Sequence, residues 1–158
     1  MKEHPPYISW KSKIGISPQG QIIFKSGVYI SPYTQVQALD SAKIILEENC
    51  YVGDYSRIVA KKYVKIYKNC LLANNVSVYD HDHRFDNLDK KIEEQGYSVG
   101  DVVIEKDCWL ATNSVILKNT FIPEHSVVGA NSVVSGHLKK NGVYAGAPAT
   151  LKRILNEN

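Results

Sequence analysis

Aliphatic residues recur along this chain at intervals of six. Counting in sixes from Ile22 passes through Val28, Thr34, Asp40, Leu46, Val52, Ile58, Val64, Cys70 and Val76, and seven of these ten positions are Ile, Leu or Val. After a break the count resumes at Ile104 and runs through Leu110, Ile116, Ile122, Val128 and Val134, all aliphatic. A period of six is neither the 3.6 of a helix face nor the 2 of an isolated half-buried strand. It suits short extended segments joined by regular corners, each sending one aliphatic inward to stack on its counterpart in the next turn. Four residues beyond many of these aliphatics stands a small residue: Ser26, Ala38, Cys50, Ser56, Cys108, Ser114, Thr120, Ser126 and Ser132. A small side chain there fits a tight corner. The pattern is least regular at Lys62 and Lys68, where long cations take the small position, and at Asp40 in the aliphatic series. These positions read as outward kinks or as local irregularity of the coil.

Val76 and Ile104 are 28 residues apart, which is not a multiple of six. The segment between them, YDHDHRFDNLDKKIEEQGYSVGD, is polar and charged. An insertion that breaks a repeat array maps to a loop on one face, often the binding face. The tail reads GVYAGAPATLKRILNEN; its glycines and Pro148 mark a turn. Leu151, Ile154 and Leu155 then predict a short helix capping the open end of the solenoid. The chain therefore reads as one domain. Residues 1–21 form an N-terminal segment, 22–80 the first coils, 81–101 an inserted active-site loop, 102–147 the second coils and 148–158 a helical tail.

Composition narrows the function. An apolar fraction of 44% with 22% charged residues is enough for a packed core, so disorder is not expected. A net charge of +3 without a dense basic stripe points away from nucleic acid and suits an anionic small ligand. The opening MKEHPPYISWK has no apolar signal region, and no run approaches the ~18 apolar residues of a membrane span. Cys50, Cys70 and Cys108 are odd in number and lack metal spacing. They read as reduced core thiols, the state expected of a cytoplasmic protein.

The phrases VGDYSR, IEKDCWLATNSVI and IPEHSVVGANSVV resemble the hexapeptide-repeat acyltransferases. The resemblance implies an all-β, left-handed parallel β-helix with three hexapeptides per triangular coil. That handedness is an exception to the usual right-handed crossover. It also implies acetyl-CoA as acyl donor, a homotrimer, and a loop reaching toward a neighbouring subunit.

Acetyl transfer from a thioester needs a base for the acceptor proton and donors for the developing oxyanion. Among five histidines, His81 occupies the last place of the hexapeptide that begins at Val76, at a corner, 28 residues before Trp109. A histidine at the root of the loop followed by a Trp opening the next coils resembles the galactoside and maltose acetyltransferases and the polysaccharide O-acetyltransferases. In those the first histidine of the cluster is the base, which assigns His81 that role, with His83 as rival. Asp80 and Asp82 flank His81. In an extended segment they would face away from it, so its orienting partner is expected to be a main-chain carbonyl or a remote carboxylate. Tyr79, Phe85 and Tyr97, with His83, are candidates to contact an acceptor.

For CoA the resemblance implies Trp109, with main-chain amides at Ala111 and Thr112; Ala111 stands where a glycine is usual. It adds Gly129 and Ala130 in the next coil, Gly146 and Ala147 of the GAPA turn, and Lys152 and Arg153 toward the phosphates. The γ-type carbonic anhydrases, a related family, bind zinc through three histidines. Here only His81 and His83 stand together, His125 and His137 do not complete that pattern, and no metal is expected. The sequence thus reads as an acetyl-CoA-dependent O-acetyltransferase acting on a sugar or glycan precursor. The alternatives are an N-acetyltransferase on an amino sugar or other small acceptor, and a non-catalytic β-helix scaffold or a γ-type carbonic anhydrase-like protein.

Overall fold

In the computed structural model, which describes residues 4–155, short strands stack into three parallel faces of a left-handed β-helix of about six turns. Face I contains Tyr7–Ile8, Tyr29–Ile30, Tyr51–Val52, Leu71–Leu72, Trp109–Leu110, Val127–Val128 and Gly142–Gly146. Face II contains Lys13–Ile16, Gln35–Ala38, Arg57–Ala60, Ser77–Tyr79, Val115–Ile116 and Val133–Val134. Face III contains Gln21–Phe24, Lys43–Leu46, Tyr63–Ile66, Val102–Ile104 and Thr120–Ile122.

Each face contributes inward aliphatic columns. Ile30, Val52, Leu72, Leu110 and Val128 stack from face I. Val36, Ile58, Val78, Ile116 and Val134 stack from face II. Leu46, Ile66, Ile104 and Ile122 stack from face III. All of these are essentially removed from water, and their burial is the main favourable contribution to the fold.

The irregularities in the six-residue count have a single structural origin. The step from the face II column to the face III column is ten residues at Val36–Leu46, eight at Ile58–Ile66 and six at Ile116–Ile122. Early coils therefore carry extra residues at the II–III corner, Lys61–Lys62 among them. Counting in sixes past Ile58 slides off the main columns and onto the corner positions Cys70 and Val76. The long insertion enters at this same corner. The lengthened corners also explain the cysteines. Instead of dividing between two kinds of position, Cys50, Cys70 and Cys108 each precede the face I strand and occupy one column. Each is buried and donates its thiol to a carbonyl, of Tyr67, Glu105 and Pro123 respectively. Contact with the Cys108 and Cys50 thiols, together with burial, pushes the central Cys70 thiol upward, which suits an unreactive packing group in the middle of the column.

Corners turn through residues with positive φ. Asn75, Asn113 and Asn131 occupy one corner and Asn49, Asn69, Asp107 and His125 another. Asn and Asp tolerate this conformation best among residues with a Cβ. His125, expected to be idle in metal binding, is such a corner residue and pairs with Asp107.

Two expectations are corrected. The first coil begins near Tyr7, not after residue 21, because Tyr7–Ile8 and Lys13–Ile16 pair in register with the next coil. The tail is not a helix. After a turn at Gly146–Pro148, Ala149–Ile154 runs back antiparallel along Gly142–Gly146 as the edge strand of face I. So short a helix is marginal in water, whereas the strand satisfies the open backbone edge of its neighbour.

Candidate active site

The chain leaves face II after Tyr79 and bends at Asp80. His81–His83 then pairs antiparallel with Tyr97–Val99, forming the root of the inserted arm. The root is closed by the Gly100 amide, which donates to the Asp80 carbonyl at 2.8 Å. At Gly100 the Asn119 side chain fills the space a Cβ would take, so a larger residue there would have to displace it. Lys118 ties the arm to the following coil through Asp82 at 3.0 Å and Ser98 at 2.7 Å. Farther out, Gln95 fixes the arm by accepting from the Asn87 amide and donating to the carbonyls of Asn87 and Lys90.

His81 is mostly covered, with 13% of its side chain exposed, and its Nδ1 lies 2.8 Å from Asp80 Oδ1. This corrects the expectation that neither flanking aspartate faces it. The bend at Asp80 ends strand alternation, so residues 80 and 81 turn their side chains to one another. Asp80 itself is fully buried. Its carboxylate also accepts from the backbone N–H groups of Lys61, Lys62 and Tyr63 in the coil below, at 2.8, 2.7 and 2.8 Å. Among the described residues, Nε2 of His81 makes no hydrogen bond. Tyr79 and Tyr97 stand roughly perpendicular to the imidazole in T-shaped contact, with centroids at 6.1 and 5.6 Å. His83 packs on Tyr97 at 4.4 Å, and the Lys61 ammonium sits 4.0 Å from the centroid of that ring while pairing with Asp40. Phe85 stands apart from this cluster: it is 64% exposed and shares no ring contact with it. Among the described residues, no group of three or more His, Cys, Asp or Glu is placed to hold a metal.

Ala111, Thr112, Gly129, Ala130 and Gly146, all expected to bind CoA, lie at the corner between faces I and II. Ala111 and Gly129 hold the same position in successive coils. The Gly129 amide donates to Tyr144, and a Cβ on Gly129 would press on Ala145 at 3.1 Å. Thr112 and Ala130 follow in the next position, and Gly146 lies beyond them, its amide donating to Ser132 Oγ at 3.1 Å. The amides of Ala111 and Gly129 already serve the coil ladder, at 2.9 and 2.8 Å. Those of Thr112 and Ala130 donate to no described protein group. The amide expected from Ala111 is thus engaged, and the open donors sit one residue later. Ala147 lies in the hairpin turn, and Lys152 and Arg153 are exposed on the edge strand. Trp109 is half exposed on face I. The donor corner and His81 therefore stand at opposite edges of face II. Sequence reasoning missed Asp80 and the Lys61–Tyr63 amides. The doubled Asp-His of YDHDH was the available sign.

No family model matches the chain. It is 33% identical over 140 residues to WbbJ of Escherichia coli (strain K12), a protein assigned to lipopolysaccharide biosynthesis as an O-acetyl transferase, covering 84% of this chain and 69% of that one. The chain belongs to the hexapeptide-repeat acetyltransferases. It is also 30% identical to the galactoside O-acetyltransferase of the same strain, over 73% of this chain and 56% of that enzyme. Among solved structures, a mutant form of AntD, an N-acyltransferase from Bacillus cereus in complex with dTDP and coenzyme A, shares the fold. Its TM-score is 0.80 at 20% identity, over 96% of this chain and 81% of that one. The maltose O-acetyltransferase of Clostridium difficile 630 gives 0.55 at 21% identity, over 92% and 68%. No helix among the described residues is long and apolar enough to cross a membrane.

Proposed function

We propose that this chain transfers an acetyl group from acetyl-CoA to a hydroxyl of a sugar or glycan precursor, with His81 as general base. The observation that carries the reading is His81 held through Nδ1 at the root of an ordered arm, its Nε2 unpartnered, in a chain of this family. In the step proposed, Nε2 removes the acceptor hydroxyl proton as that oxygen attacks the thioester carbonyl. The tetrahedral intermediate then collapses with cleavage of the carbon–sulfur bond. The departing thiolate takes the proton from the imidazolium, which returns the base to its starting state. Tyr79, Tyr97 and His83 surround the acceptor side. The open amides of Thr112 and Ala130 suit the carbonyls of a pantetheine arm, and Lys152 and Arg153 suit the phosphates at the nucleotide end of CoA. The test is CoA thiol release from acetyl-CoA across a panel of free sugars, nucleotide sugars and glycan fragments. Acceptor-dependent release with an O-acetyl product is expected. Release only with amino sugars would move the reading to N-acetylation, and none with any acceptor would favour a scaffold.

The separation of the donor corner from His81 favours sites shared between copies. Three chains around an axis parallel to the coil would form three equivalent clefts, a closed cyclic arrangement. Each would pair His81 of one chain with the donor corner of another. Light scattering is expected to report a trimer. A His81→Ala chain mixed with a Thr112→Trp chain, the latter blocking an exposed donor position, should regain part of the activity. No recovery after proven subunit exchange would place each site within one chain.

A further inference from the structure

We infer that Asp80 is the positioning residue for the base, selecting which imidazole nitrogen of His81 carries the proton and anchoring that ring to the preceding coil through the same carboxylate. The inference rests on the reading of His81 as base. Asp80 has no contact with water, and its two oxygens face four nitrogens between 2.7 and 2.8 Å away. Three of these are backbone N–H groups, which can only donate. Both carboxylate oxygens therefore act as acceptors, Oδ1 toward Lys61 and Oδ2 toward Lys62 and Tyr63. The fourth neighbour, Nδ1 of His81, must then also donate, because a bare ring nitrogen at 2.8 Å would set two lone pairs against one another. The proton of the neutral imidazole is thereby assigned to Nδ1. The lone pair is left on Nε2, the nitrogen that has no partner and is free to receive a proton. When Nε2 does so, the imidazolium lies against a fixed negative charge and needs no reorganisation to be stabilised.

The second half of the inference concerns the coil below. Lys61 and Lys62 are the extra residues of the II–III corner that displace the six-residue count. With Tyr63 they turn three successive amides toward Asp80, forming a cradle for an anion. Asp80 thus converts a lengthened corner in one coil into a rigid mount for a side chain in the next. Its backbone contributes as well, since its carbonyl accepts from Gly100 at the close of the arm. One residue therefore couples the corner, the base and the root of the arm.

The first test is the tautomer of His81, read from ¹⁵N chemical shifts in histidine-labelled full-length protein above the imidazole titration, with His81→Ala to assign the signals. Protonated Nδ1 and bare Nε2 are expected. A protonated Nε2 overturns the inference whether or not His81 is the base. The second test is Asp80→Asn, which keeps the shape but replaces one acceptor oxygen with an amino group. It should shift the His81 signals toward the opposite tautomer and lower kcat by roughly 10²–10⁴-fold, as loss of an orienting carboxylate does elsewhere. The KM for acetyl-CoA should be nearly unchanged. Unchanged kcat and unchanged ¹⁵N shifts in a folded Asp80→Asn protein would overturn the inference. If that variant does not fold, the wild-type tautomer decides. Full activity in His81→Ala would remove the base reading but leave the tautomer result standing as a test of Asp80.

Discussion

Replacing His81 with alanine should lower turnover by roughly 10²–10⁴-fold while leaving acetyl-CoA affinity nearly unchanged. The two parts of this expectation have separate structural origins. The loss in turnover follows from Nε2, the unpartnered nitrogen at the root of the arm and the group proposed to take the acceptor proton. The unchanged donor affinity follows because His81 is not among the groups proposed to hold CoA, which are the Thr112 and Ala130 amides for the pantetheine arm and Lys152 and Arg153 for the phosphates. His83→Ala should be milder, because His83 is exposed and packs on Tyr97 without a carboxylate partner. Steady-state kinetics of both variants with acetyl-CoA and the best acceptor check the assignment. Near-normal turnover in His81→Ala, or a larger loss in His83→Ala, would reject it.

The largest effect on stability is expected at Ile104. It is fully buried, stacks between Ile66 below and Ile122 above, and belongs to the first face III strand after the inserted arm. Ile104→Ala removes buried methyl groups and leaves a cavity that stacked coils cannot easily close, because each inward side chain is fixed by the ladders on both sides. A cost of about 2–5 kcal/mol is expected, which corresponds to a fall in melting temperature of roughly 5–15 °C for a chain of this size. Ile154→Ala provides the contrast. Ile154 lies on the outermost strand and is 45% exposed, so its truncation should cost far less. Thermal unfolding of the two proteins followed by circular dichroism makes the comparison, and equal shifts would contradict the assignment of Ile104 to a rigid core.

The aliphatic series from Ile104 to Val134 made the second half of the solenoid legible, because those coils keep the regular step and every sixth residue does enter the core. The first half was legible only in part. Ile58 and Leu46 stand in true columns, but Cys70 and Val76 belong to corners, and nothing local to the sequence distinguishes an aliphatic on a face from one at a bend. The tail misled for a related reason: Leu151 and Ile154 satisfy a helical spacing and an edge strand equally well over so few residues. What decided between them was the exposed edge of Gly142–Gly146, a feature that exists only once the coils are stacked.

The same division runs through the candidate site. By itself the sequence determined the repeating architecture, the place of the insertion, and His81 as the histidine at its root, since all three depend on order and spacing along the chain. The partner of His81 was beyond its reach. Strand alternation places Asp80 on the opposite side, and only the bend at the end of face II brings the two side chains together. The amides that hold Asp80 come from residues 61–63, a whole coil earlier, and they converge on it because solenoid stacking brings distant segments within hydrogen-bond distance. Whether a buried carboxylate is tolerated at that point depends on those donors, and the fold alone supplies them.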